Sequence, residues 1–312
     1  MNATKKIVFI IAIVVAFLVI SFQGGVSALV HIGVGDVAYL SFLTYITIIL
    51  SGYVFSVLLA VLGVNLKHQE NVHLAVAAQF LNYFGPVRAG ALVKAVYLKR
   101  KYSFLYTNYA SVAIANALIS MATLSVIGIV ALLTLSQEGE AYYLIVVCLI
   151  CIFAAILPLL LKRRMDTVYG KLGKVGRALL SAHDGFVLIA KMKKNMLIEV
   201  FLVVVQALLS AYIYMYAFTS FGMNMSYMTA LIVSVFASLS TLFSVTPGNI
   251  GVQEFIVASL SQLVGPGFVG GAAVAAILRV IHLTIVCAHA PWSLAWLSVT
   301  RSSYTRTVDD GA

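Results

Sequence analysis

Long apolar segments limit this chain to a membrane fold. The sequence of 312 residues is 62% hydrophobic and only 10% charged, whereas soluble domains average about 25% charged residues. An apolar segment of about 20 residues is long enough to cross a bilayer as a helix. Because backbone polar groups in lipid need internal partners, these repeated segments predict an all-α polytopic membrane protein.

The positions of the charges predict the orientation of the chain. The formal net charge is +10, and the basic residues cluster between apolar segments, as at 99–101 and 162–164. Basic clusters of this kind mark cytoplasmic loops of membrane proteins. We therefore expect no nucleic-acid partner, and we expect both termini on the cytoplasmic side of the inner (plasma) membrane.

Six apolar segments are interpreted as membrane-spanning helices. The first follows Lys5 and Lys6 and could instead be a cleaved signal peptide, but an uncleaved helix is favoured because the chain continues as membrane segments. The six predicted spans are 7–22, 37–66, 104–135, 142–161, 196–221 and 268–299.

Two further apolar segments are interrupted by proline and glycine. Gly85-Pro86 divides the segment 72–98, and Pro247-Gly248 divides the segment 227–264. Proline removes a backbone donor and clashes with the preceding helical turn. The resulting pieces are too short to cross a bilayer, so each segment is interpreted as a re-entrant helical hairpin.

The order of these elements indicates an inverted-topology repeat. The first half, 37–135, has an inward span, a hairpin and an outward span, and the second half, 196–299, has the same order in the opposite orientation. This arrangement is typical of secondary transporters. The alternative is that one hairpin is really two short spans.

Between the halves, 162–194 is basic and amphipathic, and we expect it on the cytoplasmic leaflet.

Charged residues inside apolar segments are costly and are usually paired or functional. Arg88 follows the first break, Glu254 follows the second, and Arg279 lies in the middle of the last span. The functional interpretation places both arginines in a central cavity, where they could bind phosphate. The structural alternative is that Glu254 pairs with Arg279 and fixes the second hairpin. Lys94 and Glu199 are expected to extend to the membrane surface.

Other functional classes find little support in the sequence. It contains no G-x-x-x-x-G-K-[ST], H-E-x-x-H or G-x-S-x-G motif, so we expect no enzyme activity. Cys148, Cys151 and Cys287 lie in apolar segments, and their expected role is packing. No metal and no cofactor is expected.

The two breaks carry the resemblance to a known family. Pro86-Val87-Arg88-Ala89-Gly90 and the segment 246–254, Thr-Pro-Gly-Asn-Ile-Gly-Val-Gln-Glu, resemble the hairpin motifs of the flippase-like family named for the transmembrane region of lysylphosphatidylglycerol synthase. This chain has Ala91, Asn249 and Gln253 where that family typically has Glu, Gly and Arg.

The resemblance implies translocation of a lipid with a polar head between leaflets. It also implies a substrate site built from the two motifs and the last span, at Arg88, Glu254, Arg279, Pro247, Asn249 and Gln253. The expected partners are membrane lipids with anionic headgroups. A second copy of the chain and an envelope-synthesis enzyme are alternative partners. The alternatives are a small-solute or ion transporter and a non-transporting membrane partner of a cell-envelope enzyme.

Overall fold

The computed structural model describes residues 32–85, 88–135, 142–160, 173–243 and 246–309. Within these ranges the protein consists of ten α-helices and one 3₁₀ turn, without strands. The all-α fold class is therefore confirmed. The predicted first span at 7–22 lies outside the described residues.

Among the described residues, four helices are long and apolar enough to cross a membrane, judged by length and composition. They are α1 (Val34–Val61), α4 (Tyr106–Leu135), α7 (Lys193–Ser220) and α10 (Phe268–Asp309). They correspond to the spans predicted at 37–66, 104–135, 196–221 and 268–299. A fifth apolar helix, α5 (Tyr142–Leu160), lies at the span predicted at 142–161 but is shorter.

Both predicted breaks interrupt a helix. The first separates α2 (His68–Phe84) from α3 (Ala89–Tyr102), and the second separates α8 (Tyr227–Leu242) from α9 (Val252–Val264), with a 3₁₀ turn at Pro247–Asn249. These four helices have 17, 14, 16 and 13 residues, which is short of the ~20 residues that cross a bilayer.

The broken helices lie in the interior of the protein. In α8 a continuous run of residues, 229–237, is buried, and in α2 the corresponding run is 70–78. Large apolar side chains are exposed on the outer faces of the long helices, among them Val126, Phe201 and Val280, as expected for surfaces in contact with lipid. The outer helices therefore enclose the two breaks, and α2 contacts the 3₁₀ turn of the second break.

The basic amphipathic segment at 162–194 is described in part. Its described part is α6 (Gly173–Lys191), which packs on α4. Ala182, Phe186 and Ile189 are buried, and the last two belong to a hydrophobic cluster with Leu58 and Leu98. These apolar side chains are thus covered by protein, and the place of the segment on the cytoplasmic leaflet stays a prediction.

Candidate functional site

The second break requires glycine at position 248. Gly248 has φ +61°, in the left-handed region, which costs other residues roughly 1–2 kcal/mol. A Cβ atom at this position would also overlap the ring of Tyr83. The turn is closed by hydrogen bonds from Asn249 N to Thr246 O (3.0 Å) and from Ile250 N to Pro247 O (3.3 Å).

Asn249 attaches the turn to the preceding helix. Its side chain is 2% exposed, and its Nδ2 donates to Ser240 Oγ at 2.9 Å. The backbone is also left-handed here, with φ +57°, a conformation that asparagine tolerates better than most residues. Asn249 Oδ1 has no hydrogen-bond partner within the described residues.

Arg279 of α10 forms an ion pair with Glu254 of α9. Both side chains are buried, with exposed fractions of 8% and 5%. Arg279 Nε donates to Glu254 Oε1, and Nη2 contacts the same oxygen. Glu254 Oε2 accepts from Gly251 N at 2.7 Å, which caps the start of α9. The pairing of Glu254 with Arg279, the structural alternative drawn from the sequence, is therefore present.

The remaining donors of Arg279 connect the two breaks. Nη1 donates to Tyr83 Oη and to Gly248 O, both at 2.8 Å. Nη2 donates to Gln253 Oε1 at 3.0 Å and, with a longer contact of 3.5 Å, to Asn249 O. Since guanidinium has five N–H groups, each of them has an acceptor. One side chain thus holds together α10, α9, the 3₁₀ turn and the end of α2.

Arg88 makes a separate connection between the breaks. It precedes α3, has a left-handed backbone with φ +62°, and donates from Nη2 to Leu242 O at 3.0 Å. Leu242 is the last residue of α8, where the helix dipole favours a cation. Arg88 is exposed and bonded to Leu242 O, whereas Arg279 is buried and bonded to Glu254, so the two arginines occupy different places.

A cavity of about 580 Å³ lies between the two breaks. Its wall comes from α1–α4 and α7–α10, and it includes five of the six predicted site residues, all except Pro247. Most of its other polar groups are uncharged, as in Thr47, Ser51, Asn82, Tyr109, Asn116 and Gln206. The predicted residues therefore meet at one polar space inside an apolar bundle.

Lys94 also lines this cavity, and the expectation that it extends to the membrane surface is wrong. Its Nζ lies 4.5 Å from the centroid of the Phe55 ring. No hydrogen bond or ion pair joins Lys94 to another described residue. Lys94 precedes Lys99 in α3 and lies about 7.5 Å from it along the helix axis at 1.5 Å per residue. The distance of Lys94 from the basic cluster at 99–101 is the sequence feature that indicates its place away from the end of the helix.

Glu199 is the second charged residue that the sequence interpretation misplaced. Its side chain is fully buried, at 0% exposed, and neither carboxyl oxygen has a partner among the residues described. It lies one helical turn before Val203, which lines the cavity, on the same face of α7. Packing of α7 inside the bundle prevents the side chain from reaching the surface.

Three polar atoms of cavity-lining residues are buried without a partner in the described ranges: Asn116 Oδ1, Asn249 Oδ1 and His282 Nε2. Such atoms in a roomy polar space are usually satisfied by water or by a ligand. The described residues contain no group of three potential metal ligands. The two amide oxygens are acceptors, so they suit water or a polar ligand that donates hydrogen bonds to them.

One of three comparisons with known proteins found a match. The family described as the lysylphosphatidylglycerol synthase TM region matches residues 6–289. Comparison with curated proteins gave no match, and comparison with solved structures gave none either. Since the family match extends over most of the chain and both breaks, this multi-pass membrane protein belongs to the family of lysylphosphatidylglycerol synthase transmembrane regions.

Proposed function

We propose that the protein moves a lipid with an anionic or phosphate-bearing headgroup between the leaflets of the inner (plasma) membrane. The observation that carries this proposal is the polar cavity between the two breaks, with Arg88 and Lys94 on its wall. Neither cation is paired with a carboxylate among the described residues. The family match supports a function connected with lipids or transport.

The cavity supplies what a headgroup needs in order to cross a membrane. A charged group at the bilayer centre costs several kcal/mol or more, whereas a polar site with cations offsets that cost. The volume of about 580 Å³ lies within the usual range of small-ligand sites, about 300–1,000 Å³. The acyl chains would stay in the surrounding bilayer, and the headgroup alone would enter.

The order of helices supports an inverted-topology transporter. In the first half, α1 and α4 flank the broken pair α2–α3, and in the second half, α7 and α10 flank the broken pair α8–α9. In our proposal the pairs are re-entrant hairpins from opposite sides, in a protein of six spans with both termini cytoplasmic. The breaks would then meet near the midplane, where such transporters bind substrate.

A reconstituted leaflet-exchange assay tests this function. The full chain is placed in vesicles that contain fluorescent phosphatidylglycerol or fluorescent phosphatidylcholine, and a membrane-impermeant quencher reports exchange. We expect faster exchange of phosphatidylglycerol than in protein-free vesicles and a smaller effect on phosphatidylcholine. Equal rates with and without protein, for both lipids, would contradict the proposal.

A small-solute or ion transporter is the second candidate. It is favoured by the unpartnered atoms of Asn116, Asn249 and His282, which suit a hydrated solute as well as a headgroup. Uptake of inorganic phosphate into the same vesicles distinguishes the two. Phosphate uptake without lipid exchange would support the solute carrier.

A further inference from the structure

We infer that Lys94 is the residue that binds the anionic group of the lipid, and that Arg279 instead holds the second break in place. This inference rests on the proposed function and assigns the substrate contact within the same cavity. The site consists of Lys94, Phe55 and Tyr109, all of which line the cavity.

Arg279 is already fully engaged. All five of its N–H groups have acceptors within 3.5 Å, and its charge is neutralised by Glu254. A phosphate could displace these contacts only by leaving the buried carboxylate of Glu254 without its partner, which is strongly unfavourable. The pair therefore adds no net positive charge to the cavity.

Arg88 is the other candidate, and it is attached to the end of α8. Its Nη2 donates to Leu242 O, so movement toward a ligand would give up this contact. The residue also follows directly after the first break, and its left-handed backbone, φ +62°, fixes the direction in which α3 begins. Its geometry fits a residue that positions the two breaks.

Lys94 differs from both arginines, because the described residues do not use its hydrogen-bond donors. Its ammonium group has three N–H donors, and none of them has an acceptor among the described residues. The Phe55 ring at 4.5 Å stabilises the cation from one side without using a donor. A half-buried cation without a counter-ion is stabilised by an anion that enters the cavity.

Tyr109 is the second neighbour of the same Phe55 ring. Its ring centroid is 5.7 Å from that of Phe55, and no described side chain or backbone group is hydrogen-bonded to its hydroxyl. A phosphate oxygen beside Lys94 could thus accept a second hydrogen bond from Tyr109. Because an ammonium group is a point charge and not a fixed fork, this site would select for negative charge and tolerate different headgroup shapes.

Substitution of Lys94 tests the assignment in the exchange assay. Lys94→Gln removes the charge, Lys94→Arg keeps it, and Lys99→Gln removes an exposed lysine from the same helix. We expect Lys94→Gln to slow phosphatidylglycerol exchange about tenfold, the effect of losing one charge-assisted contact. Lys94→Arg should keep most of the rate, and Lys99→Gln should keep all of it.

The outcomes separate this inference from the proposed function. If the wild-type protein exchanges phosphatidylglycerol and Lys94→Gln does so at the same rate, the inference is overturned and the function stands. If the wild type shows no exchange, the proposed function fails first. Thermal unfolding of each variant shows whether a lost rate comes from lost folding.

A second measurement uses the wild-type protein alone. An amine-selective reagent is applied to the protein in phosphatidylglycerol vesicles and in phosphatidylcholine vesicles, and labelling is quantified by mass spectrometry with Lys99 as the internal reference. We expect the anionic lipid to reduce labelling of Lys94 severalfold relative to Lys99. Equal labelling of Lys94 in both vesicles would overturn the inference even if Lys94→Gln does not fold.

Discussion

At Gly248 the backbone of the second break touches the Tyr83 ring at the end of α2. The residue combines a positive φ with a space that no Cβ atom can enter. Its carbonyl and the Tyr83 hydroxyl are both acceptors for Arg279 Nη1. The close approach therefore lets one guanidinium reach both breaks.

Gly248→Ala should destabilise the protein more than Gly251→Ala. Both glycines have positive φ, +61° and +85°, but only Gly248 has atoms within 4 Å of an added Cβ. Gly251→Ala has a conformational cost of about 1–2 kcal/mol. Gly248→Ala has the same cost and, in addition, the overlap of the new Cβ atom with Tyr83. Thermal unfolding in detergent measures the difference, and equal unfolding midpoints would contradict this packing.

Individual residues were predictable where their role depends on the local chain. Proline and glycine predicted both breaks, and the Arg279–Glu254 pair was one of two interpretations of the intramembrane charges. The contact of Tyr83 with that pair was not predictable, because it depends on how the two broken helix pairs pack. Lys94 and Glu199 were misplaced for a related reason: the sequence shows that each charge lies in an apolar segment, and how far Lys94 is from Lys99, but not which helices surround the side chain.

At the scale of helices, Glu70 joins the ends of α2 and α3 that lie opposite the first break. Its carboxylate is fully buried and accepts hydrogen bonds from Tyr97 Oη at 2.6 Å, Tyr102 Oη at 2.9 Å, Lys67 N at 2.9 Å and Lys101 Nζ. The two helices are thereby fixed to each other at their open end.

The hydrogen bonds of Glu70 should make the stability of the folded protein depend on pH. Burial raises the pKa of Glu70, but the hydrogen bonds from Lys101 and Tyr97 outweigh it, so the pKa lies below its ordinary value. A lowered pKa means that the stabilisation is fully present above the ordinary carboxyl value and is lost as pH falls through the lowered value.

Glu70→Gln is the variant that tests this dependence. We expect it to unfold at a lower temperature than the wild type at pH 7, because it cannot pair with Lys101. The gap between the two unfolding midpoints should narrow as the pH is lowered below 4. A gap of constant size from pH 7 to pH 3 would show that the charge of Glu70 contributes nothing.

Local features of the sequence indicate where helices begin and end, but they do not indicate which helices contact each other. The first long helix ends at Val61 instead of 66 because Gly63 adopts φ +84° just beyond it. The apolar face of α6 was predicted from its spacing, but its partner α4 was not, because periodicity shows that a face is apolar without showing what covers it.

At the scale of the whole molecule, the main result of folding is a polar cavity inside an apolar bundle. Hydropathy predicted the helices that surround it, and the two breaks predicted where regular structure stops. The cavity itself depends on eight helices, and its wall combines residues from positions 44 to 282. No single segment of the sequence carries enough information to specify such a space.

The central claim is that anionic headgroups cross through this cavity, so filling it should stop exchange. Ala113 lines the cavity on α4, and Val126 on the same helix is 52% exposed. The deciding measurement is the rate of phosphatidylglycerol exchange in vesicles that contain the wild type, Ala113→Phe or Val126→Phe, each shown to be folded. We expect Ala113→Phe to fall close to the protein-free rate and Val126→Phe to match the wild type. Exchange through folded Ala113→Phe at the wild-type rate would contradict the account.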